Sequence, residues 1–275
     1  MASAADQEMS FWAHLDALRS VIMKIAGLLL VLAMAFFSVM PWVFDHIICA
    51  PCSGDFILYR LFAGLEGDGS LLPDLGDPSF HIELINIELA SQFMIHMSSS
   101  LWAAFIVGFP IVVYLLWKFV APGLYEKEKR GARIAFLFGN LMFYLGMAVG
   151  YFLVFPLAVR FLADYQLSTA IVQTVSLTSY MDAFYTLVLS MGIVFELPLV
   201  AWLLGKIGIL HRDFFTTYRR HAIVALLIVA AVITPTGDVM TLAIVFFPIY
   251  TLWEASALLV PKGGDDELRM TNDND

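Results

Sequence analysis

Residues 181–204 read MDAFYTLVLSMGIVFELPLVAWLL, and this stretch decides the fold class. After Asp182 at its start, the run carries one charged residue, Glu196, two positions before Pro198. About 20 mostly apolar residues suffice for an α-helix to cross the hydrocarbon core of a bilayer, so the stretch is read as a transmembrane helix. A carboxylate at that depth costs on the order of 3 kcal/mol on insertion scales, and such residues face a partner or a cavity. Pro198 has no N–H to give the Val194 carbonyl and its ring clashes with it, which predicts a kink and a freed acceptor. A carboxyl beside a kinked backbone makes a polar notch in an apolar face. Two roles stand open for Glu196: an internal hydrogen bond within a helix bundle, or a docking or proton-sensitive site.

The rest of the chain has the same character. Of 275 residues, 60% are hydrophobic and only 14% charged, against about 25% charged in soluble domains. The apolar segments run throughout and leave no room for a second, soluble domain. Five further spans are predicted: Val21 to Phe44, Phe93 to Val120, Ile134 to Phe155, Ala222 to Ile233 and Val239 to Val260. Residues 181–204 are the fourth of the six. The segment before the first span is polar and mildly acidic, and the apolar run is longer than a signal h-region, so no cleaved signal peptide is expected. Residues 261–275, PKGGDDELRMTNDND, form a polar tail expected to be disordered.

Charge sets the orientation. Lys and Arg collect on the cytoplasmic side of short loops. With six spans, all but two of the 15 Lys and Arg residues fall on the side that carries both termini; the exceptions are Arg60 and Arg160. The expected architecture is therefore an all-α polytopic membrane protein of six transmembrane helices with both termini cytoplasmic. The fifth span is short: at 1.5 Å per residue it covers about 18 Å of a core of about 30 Å. Either it is sheltered by its neighbours or it thins the bilayer, with Arg219 and Arg220 snorkelling at its flank. Pro110 and Pro248 read as simple kinks in the second and sixth spans.

The loop after the second span, KFVAPGLYEKEKRGAR, sets Glu126 and Glu128 among Lys127, Lys129, Arg130 and Arg133. The topology rule accounts for the basic residues but not for the acids, which contribute little to orientation. Two readings remain for them, surface pairing with the neighbouring lysines or bidentate acceptance of an arginine from a ligand. Cys49 and Cys52 stand in Cys-Ala-Pro-Cys without the βαβ pattern of a thioredoxin-type site. They read as incidental small apolar residues at a helix end, with a local disulfide facing an oxidising compartment as the second reading. The net charge of −9 argues against nucleic acid. The six histidines show no metal spacing, and no P-loop or dinucleotide fingerprint is present. Neither an enzyme nor a cofactor is expected.

Five motifs in order carry a resemblance: HLDALR before the first span, VAPGLYEKEKR after the second, FPLA after the third, FELP in the fourth, and TPTGD between the fifth and sixth. From about Phe11 to Val260 the sequence resembles the TatC family, the multi-spanning core subunit of the twin-arginine (Sec-independent) protein translocase. The resemblance implies a single six-helix concave membrane domain over residues 1–260, in the bacterial inner membrane. It implies binding of twin-arginine signal peptides and export of folded proteins on the proton motive force, with TatA-like and TatB-like single-span partners and a homo-oligomeric assembly in the lipid bilayer. It places signal-peptide binding at Glu128, Phe119, Arg19, Glu126 and Asp16, partner docking at Glu196 beside Pro198, and an acidic periplasmic turn at Asp238. One position departs from the family: Ala17 stands where the N-terminal motif often has glutamate, and the acid is Asp16, rotated by about 100° on a helix. Either Glu128 holds the arginine pair with help from Glu126 or Asp16, or recognition differs in detail. The competing function is a proton-coupled small-molecule secondary transporter, which also sets ionisable residues and broken helices near the midplane; no repeated halves are evident to support it.

Overall fold

The computed structural model describes residues 11–63, 79–120, 126–165, 167–168, 173–206 and 208–260. Helix α1 runs over Phe11–Val43 and continues as a π-helical turn, Phe44–Ile48, and a 3-10 turn, Ala50–Cys52. A short α2 (Ile57–Ala63) and strand β1 (Leu84–Ile85) precede α3, Ser91–Val120. Helix α4 (Glu126–Val149) passes through a second π-helical turn, Gly150–Val154, into α5, Phe155–Asp164. Strand β2 (Val175–Ser176) leads into α6, Leu177–Val194, which is followed by α7, Leu197–Lys206. The chain then forms α8 (Arg212–Thr217), α9 (Arg219–Ile233) and α10, Val239–Leu259.

Among the described residues, five helical stretches are long and apolar enough to cross a membrane: Leu15–Cys52, Ser91–Phe119, Ala135–Asp164, Leu177–Lys206 and Val239–Leu259. They coincide with five of the predicted spans and extend past most of their ends. Hydropathy marks only the apolar stretch, whereas backbone hydrogen bonding carries a helix on through polar flanks of good propensity, as in EKEKR at the start of α4. The predicted fifth span lies in α9, a helix of 15 residues. At about 22 Å it is shorter than the core of a typical bilayer.

Proline chemistry shapes two of these stretches. Pro156 cannot donate into the helix ladder, and the turn before it is π-helical, with the Phe155 amide bonded to the Gly150 carbonyl. Around Pro198 the expected kink is a full interruption: α6 ends at Val194 and α7 restarts at Leu197. The Phe195 amide bonds the Met191 carbonyl, the Glu196 amide tightens onto Ile193, and the Glu196 carbonyl accepts from Val200, each at 3.0 Å.

The described residues fall into two compact units. The first holds Met1–Asp45 and Gln92–Asn140, and the second His46–Ser91 and Leu141–Asp275. In the first, α1 and α3 run antiparallel. Phe37 stacks on His96 at 3.9 Å between ring centroids, and His96 Nε2 donates to the Phe37 carbonyl at 2.8 Å. Leu29 and Leu32 lie against Gly108 further along. Tyr114 of α3 meets Phe136 of α4 edge-on at 6.3 Å.

In the second unit, three glycines let backbones approach. A Cβ on Gly146 would fall 2.5 Å from the Met191 carbonyl oxygen, one on Gly150 2.9 Å from Val188 Cα, and one on Gly192 3.0 Å from the Met147 side chain. Gly146 and Gly150 are four apart on one face, the small-xxx-small pattern by which membrane helices close on each other. The connections outside the helices are also tied together. Strands β1 and β2 pair in parallel with Leu84 opposite Val175, and Ser53 bridges His81. Arg160 of α5 is 2% exposed, lies 3.8 Å over the Phe80 ring, and pairs with Asp164 at 3.0 Å. Thus Arg160, one of the two exceptions to the charge segregation, is held inside protein by a ring and a carboxylate. Exposed Arg60, the other, pairs with Asp55 at 3.1 Å, a surface contact worth little.

Candidate functional site

The residues singled out from the sequence divide between the two units. Asp16, Arg19, Phe119, Glu126 and Glu128 belong to the first. Asp16 and Arg19 are exposed on the first turns of α1, and Phe119 is the penultimate residue of α3. The contacts of Phe37 with His96 and of Leu29 and Leu32 with Gly108 set the register of the antiparallel pair. Continued along both axes at about 1.5 Å per residue, that register brings the Asp16–Arg19 turn level with Phe119, to within about one turn. The Tyr114–Phe136 contact sets the register of α3 and α4, and the backbone of α4 begins at Glu126 at the same end of the unit. The side chains of Glu126 and Glu128 lie outside the described residues. Three helix ends therefore carry all five positions, although the first pair and the last are over a hundred residues apart in the chain, by about 110 positions.

Glu196, Pro198 and Asp238 belong to the second unit. Glu196 occupies the interruption between α6 and α7, with exposed Ile193 and Leu197 on either side. Its Oε1 is buried and has no hydrogen-bond partner among the described residues. This leaves the internal hydrogen bond weighed above without an acceptor's complement at that atom. A desolvated carboxyl oxygen without a donor is a cost to the fold.

Asp238 does something simpler. It is the N-cap of α10: its carboxylate accepts from the Thr241 amide at 2.7 Å and the Thr236 hydroxyl at 2.5 Å. Gly237 before it holds φ +60°, the left-handed backbone that lets the chain turn into the helix. Burial pushes the Asp238 carboxyl up, but the hydrogen bonds from Thr236 and Thr241 outweigh it and hold it below the usual carboxylate range. A folded-state value below the unfolded one means that the cap's contribution is complete at neutral pH. It is lost as pH falls through the ordinary carboxylate range toward the folded value. Asp238→Ala is expected to cost about 1 kcal/mol at neutral pH, read as a melting shift of the detergent-solubilised protein of about 2–4 °C. The gap between variant and wild type should narrow in acid; a gap independent of pH would mean that the carboxylate is not the cap.

Several residues with evident structural work gave no clear signal in the sequence. Three tyrosine hydroxyls cap the end of the first helical stretch. Tyr151 donates to Ile47 O at 2.7 Å, Tyr180 to Ile48 O at 2.6 Å, and Tyr59 to Pro51 O at 3.2 Å. They satisfy carbonyls that a helix C-terminus leaves unpaired. No spacing rule links residues 97 or more positions apart, as Tyr59 and its second acceptor Pro156 are. Arg219, read as a snorkelling residue, pairs with Glu254 at 2.8 Å, and Tyr250 donates to the same carboxylate at 2.8 Å. That pair ties the start of α9 to α10. Gly146 and Gly150 do stand at small-xxx-small spacing in the sequence, a signal that the reading of the spans left unused.

Comparison with known proteins identifies the family. The family model "Sec-independent protein translocase protein (TatC)" matches residues 13–248. A Sec-independent protein translocase protein TatC of Blattabacterium sp. subsp. Periplaneta americana (strain BPLAN) is 30% identical over 253 residues, covering 90% of this chain and 94% of that protein. The protein of the same name from Helicobacter pylori (strain J99 / ATCC 700824) is 35% identical over 199 residues, covering 71% and 79%. The crystal structure of a twin arginine translocase receptor, TatC, superposes with a TM-score of 0.66 at 29% identity, over 90% of this chain and 97% of that one. A crystal structure of a twin arginine translocase receptor, TatC, in DDM superposes with a TM-score of 0.68 at 28% identity, over 90% of this chain and 98% of that one. A family model over most of the chain, a relative at 30% identity along nearly its full length and a shared helical fold have one reading: the chain belongs to the TatC family of Sec-independent protein translocase proteins.

Proposed function

We propose that this chain, a transport component of a bacterial membrane, is the signal receptor and core of a twin-arginine translocase. Residues 1–260 act as one membrane domain of six spans, α9 being the short fifth, in the inner membrane with both termini cytoplasmic. The segregation of Lys and Arg supports that orientation. The observation that supports the receptor reading is that three helix ends lie at one end of the first unit, with Asp16, Arg19 and Phe119 level with the start of α4 at Glu126 by the register of the helices. Glu128, with Glu126 or Asp16 beside it, accepts the paired arginines through charge-assisted hydrogen bonds, and Phe119 offers a face to a guanidinium or to the apolar part of the signal. Single-span TatA-like and TatB-like helices dock at the Glu196 interruption, and several copies of the chain assemble with them. Folded proteins then cross on the proton motive force.

Ala17 gives the test, because a probe there leaves every proposed ligand in place. Ala17→p-benzoylphenylalanine protein in membranes is irradiated with a signal peptide carrying Arg-Arg or with one carrying Lys-Lys. A crosslink specific to the Arg-Arg peptide is expected. Adding Glu128→Gln should weaken it about ten- to a hundredfold, the worth of one or two charge-assisted hydrogen bonds. Equal crosslinking of both peptides, or indifference to Glu128→Gln, would remove the recognition site from this end of the unit.

A further inference from the structure

Both cysteines of the chain stand in the turn that the three tyrosines hold. The Cys52 amide donates to the Cys49 carbonyl at 3.0 Å, closing a four-residue turn. Such a closure brings the first and last Cα atoms within about 7 Å of each other, and a disulfide requires about 4.4–6.8 Å. The two side chains interact with each other across this turn, and that of Cys52 also with Tyr180. Pro51 between them restricts the backbone further. Both are free thiols in this structure, Cys52 buried and Cys49 half-buried, so Cys49 is the more accessible of the pair. A metal site does not fit, since no group of three or more His, Cys, Asp or Glu gathers among the described residues, and two thiolates alone leave zinc short of ligands.

We infer that Cys49 and Cys52 form a disulfide that covalently closes the turn between the first span and the tied connections beyond it. The inference rests on the orientation proposed above, which puts this turn on the extracytoplasmic, oxidising side. The oxidant is a disulfide-bearing protein or small molecule of that compartment. The Cys49 thiolate attacks one sulfur of the donor disulfide, forming a mixed disulfide and releasing the other donor sulfur as a thiolate that takes up a proton. The Cys52 thiolate then attacks the Cys49 sulfur, the mixed disulfide breaks, and the donor leaves as a dithiol. Two thiols become one disulfide, and two electrons and two protons depart with the donor. A four-residue ring removes little chain entropy. What the bond holds is local geometry, keeping the Ile47, Ile48 and Pro51 carbonyls aligned with their tyrosine donors.

The experiment uses the full chain in intact cells, quenched in acid, denatured and treated with a maleimide-polyethylene glycol. No mass shift is expected before reduction and two additions after it, while Cys49→Ser should show one addition without reduction. Two additions to the unreduced wild type would overturn the disulfide. A second arm separates that failure from a failure of orientation, using a membrane-impermeant reductant followed by a membrane-impermeant maleimide on intact cells. Labelling that needs the reductant supports both readings. Labelling from outside without any reductant keeps the orientation and removes the disulfide. Labelling only after the membrane is opened removes the orientation, and the disulfide with it.

Discussion

Gly146→Ala is expected to destabilise the protein by about 1–3 kcal/mol, as overpacking does in a closed interface. The added methyl would fall 2.5 Å from the Met191 carbonyl oxygen and 2.7 Å from Phe195 Cβ. A backbone oxygen cannot step aside as a side-chain tip can, so the end of α6 must move away from α4. Alanine is the better helix former by about 1 kcal/mol, which offsets part of the cost but not a displaced backbone. Gly150→Ala, with a methyl 2.9 Å from Val188 Cα, should act in the same direction. Gly27 on α1 is the control. A Cβ there meets nothing within 4 Å, and Gly27→Ala should gain about 0.5–1 kcal/mol from helix propensity. Thermal melts of the three purified variants decide the matter; equal melting of Gly146→Ala and Gly27→Ala would mean that the close approach is not real. Because Phe195 precedes Glu196, Gly146→Ala should also reduce export beyond what lost protein explains.

Glu196→Ala is expected to separate function from stability. Its Oε1 is buried without a partner among the described residues, so removing the carboxyl relieves a desolvated group rather than breaking a bond. The melting temperature should hold or rise. Export of a twin-arginine reporter should fall about tenfold or more, the equivalent of at least about 1.4 kcal/mol of lost docking energy. Site-specific crosslinking from Leu197 to a single-span partner should weaken in parallel. A drop in melting temperature would assign Glu196 to the fold, and normal export with undiminished crosslinking would take partner docking away from the interruption.

Five of the predicted spans were legible because a bilayer imposes one rule on every spanning residue, and that rule is local: about 20 apolar side chains in a row. The Glu196–Pro198 pair was legible for the same reason, since a carboxylate and a missing N–H are conspicuous in an apolar run. Proline chemistry foretold a disturbance near residue 198 but not its extent, because whether a helix bends or stops depends on what its neighbours can satisfy. For α6 and α7 it stops, with Phe195 and Glu196 bonded back onto Met191 and Ile193. Asp238 was noticed through its family motif, whereas its capping of α10 needed the positions of Thr236 and Thr241.

Residue order and hydropathy alone thus sufficed for the membrane class, the place of five spans and the family, all of which follow from short-range patterns and from motifs in sequence. Folding was needed to bring Asp16, Arg19 and Phe119 level with the start of α4, to turn Arg160 from a stray charge into a buried clamp over Phe80, and to place three tyrosine hydroxyls on the carbonyls around Cys49 and Cys52. Those arrangements join residues far apart in the chain, and no local periodicity encodes them. They arise where helix ends emerge and unpaired carbonyls and buried charges must find partners, because leaving such groups bare in an apolar medium costs several kcal/mol each, on the order of the stability of the fold itself.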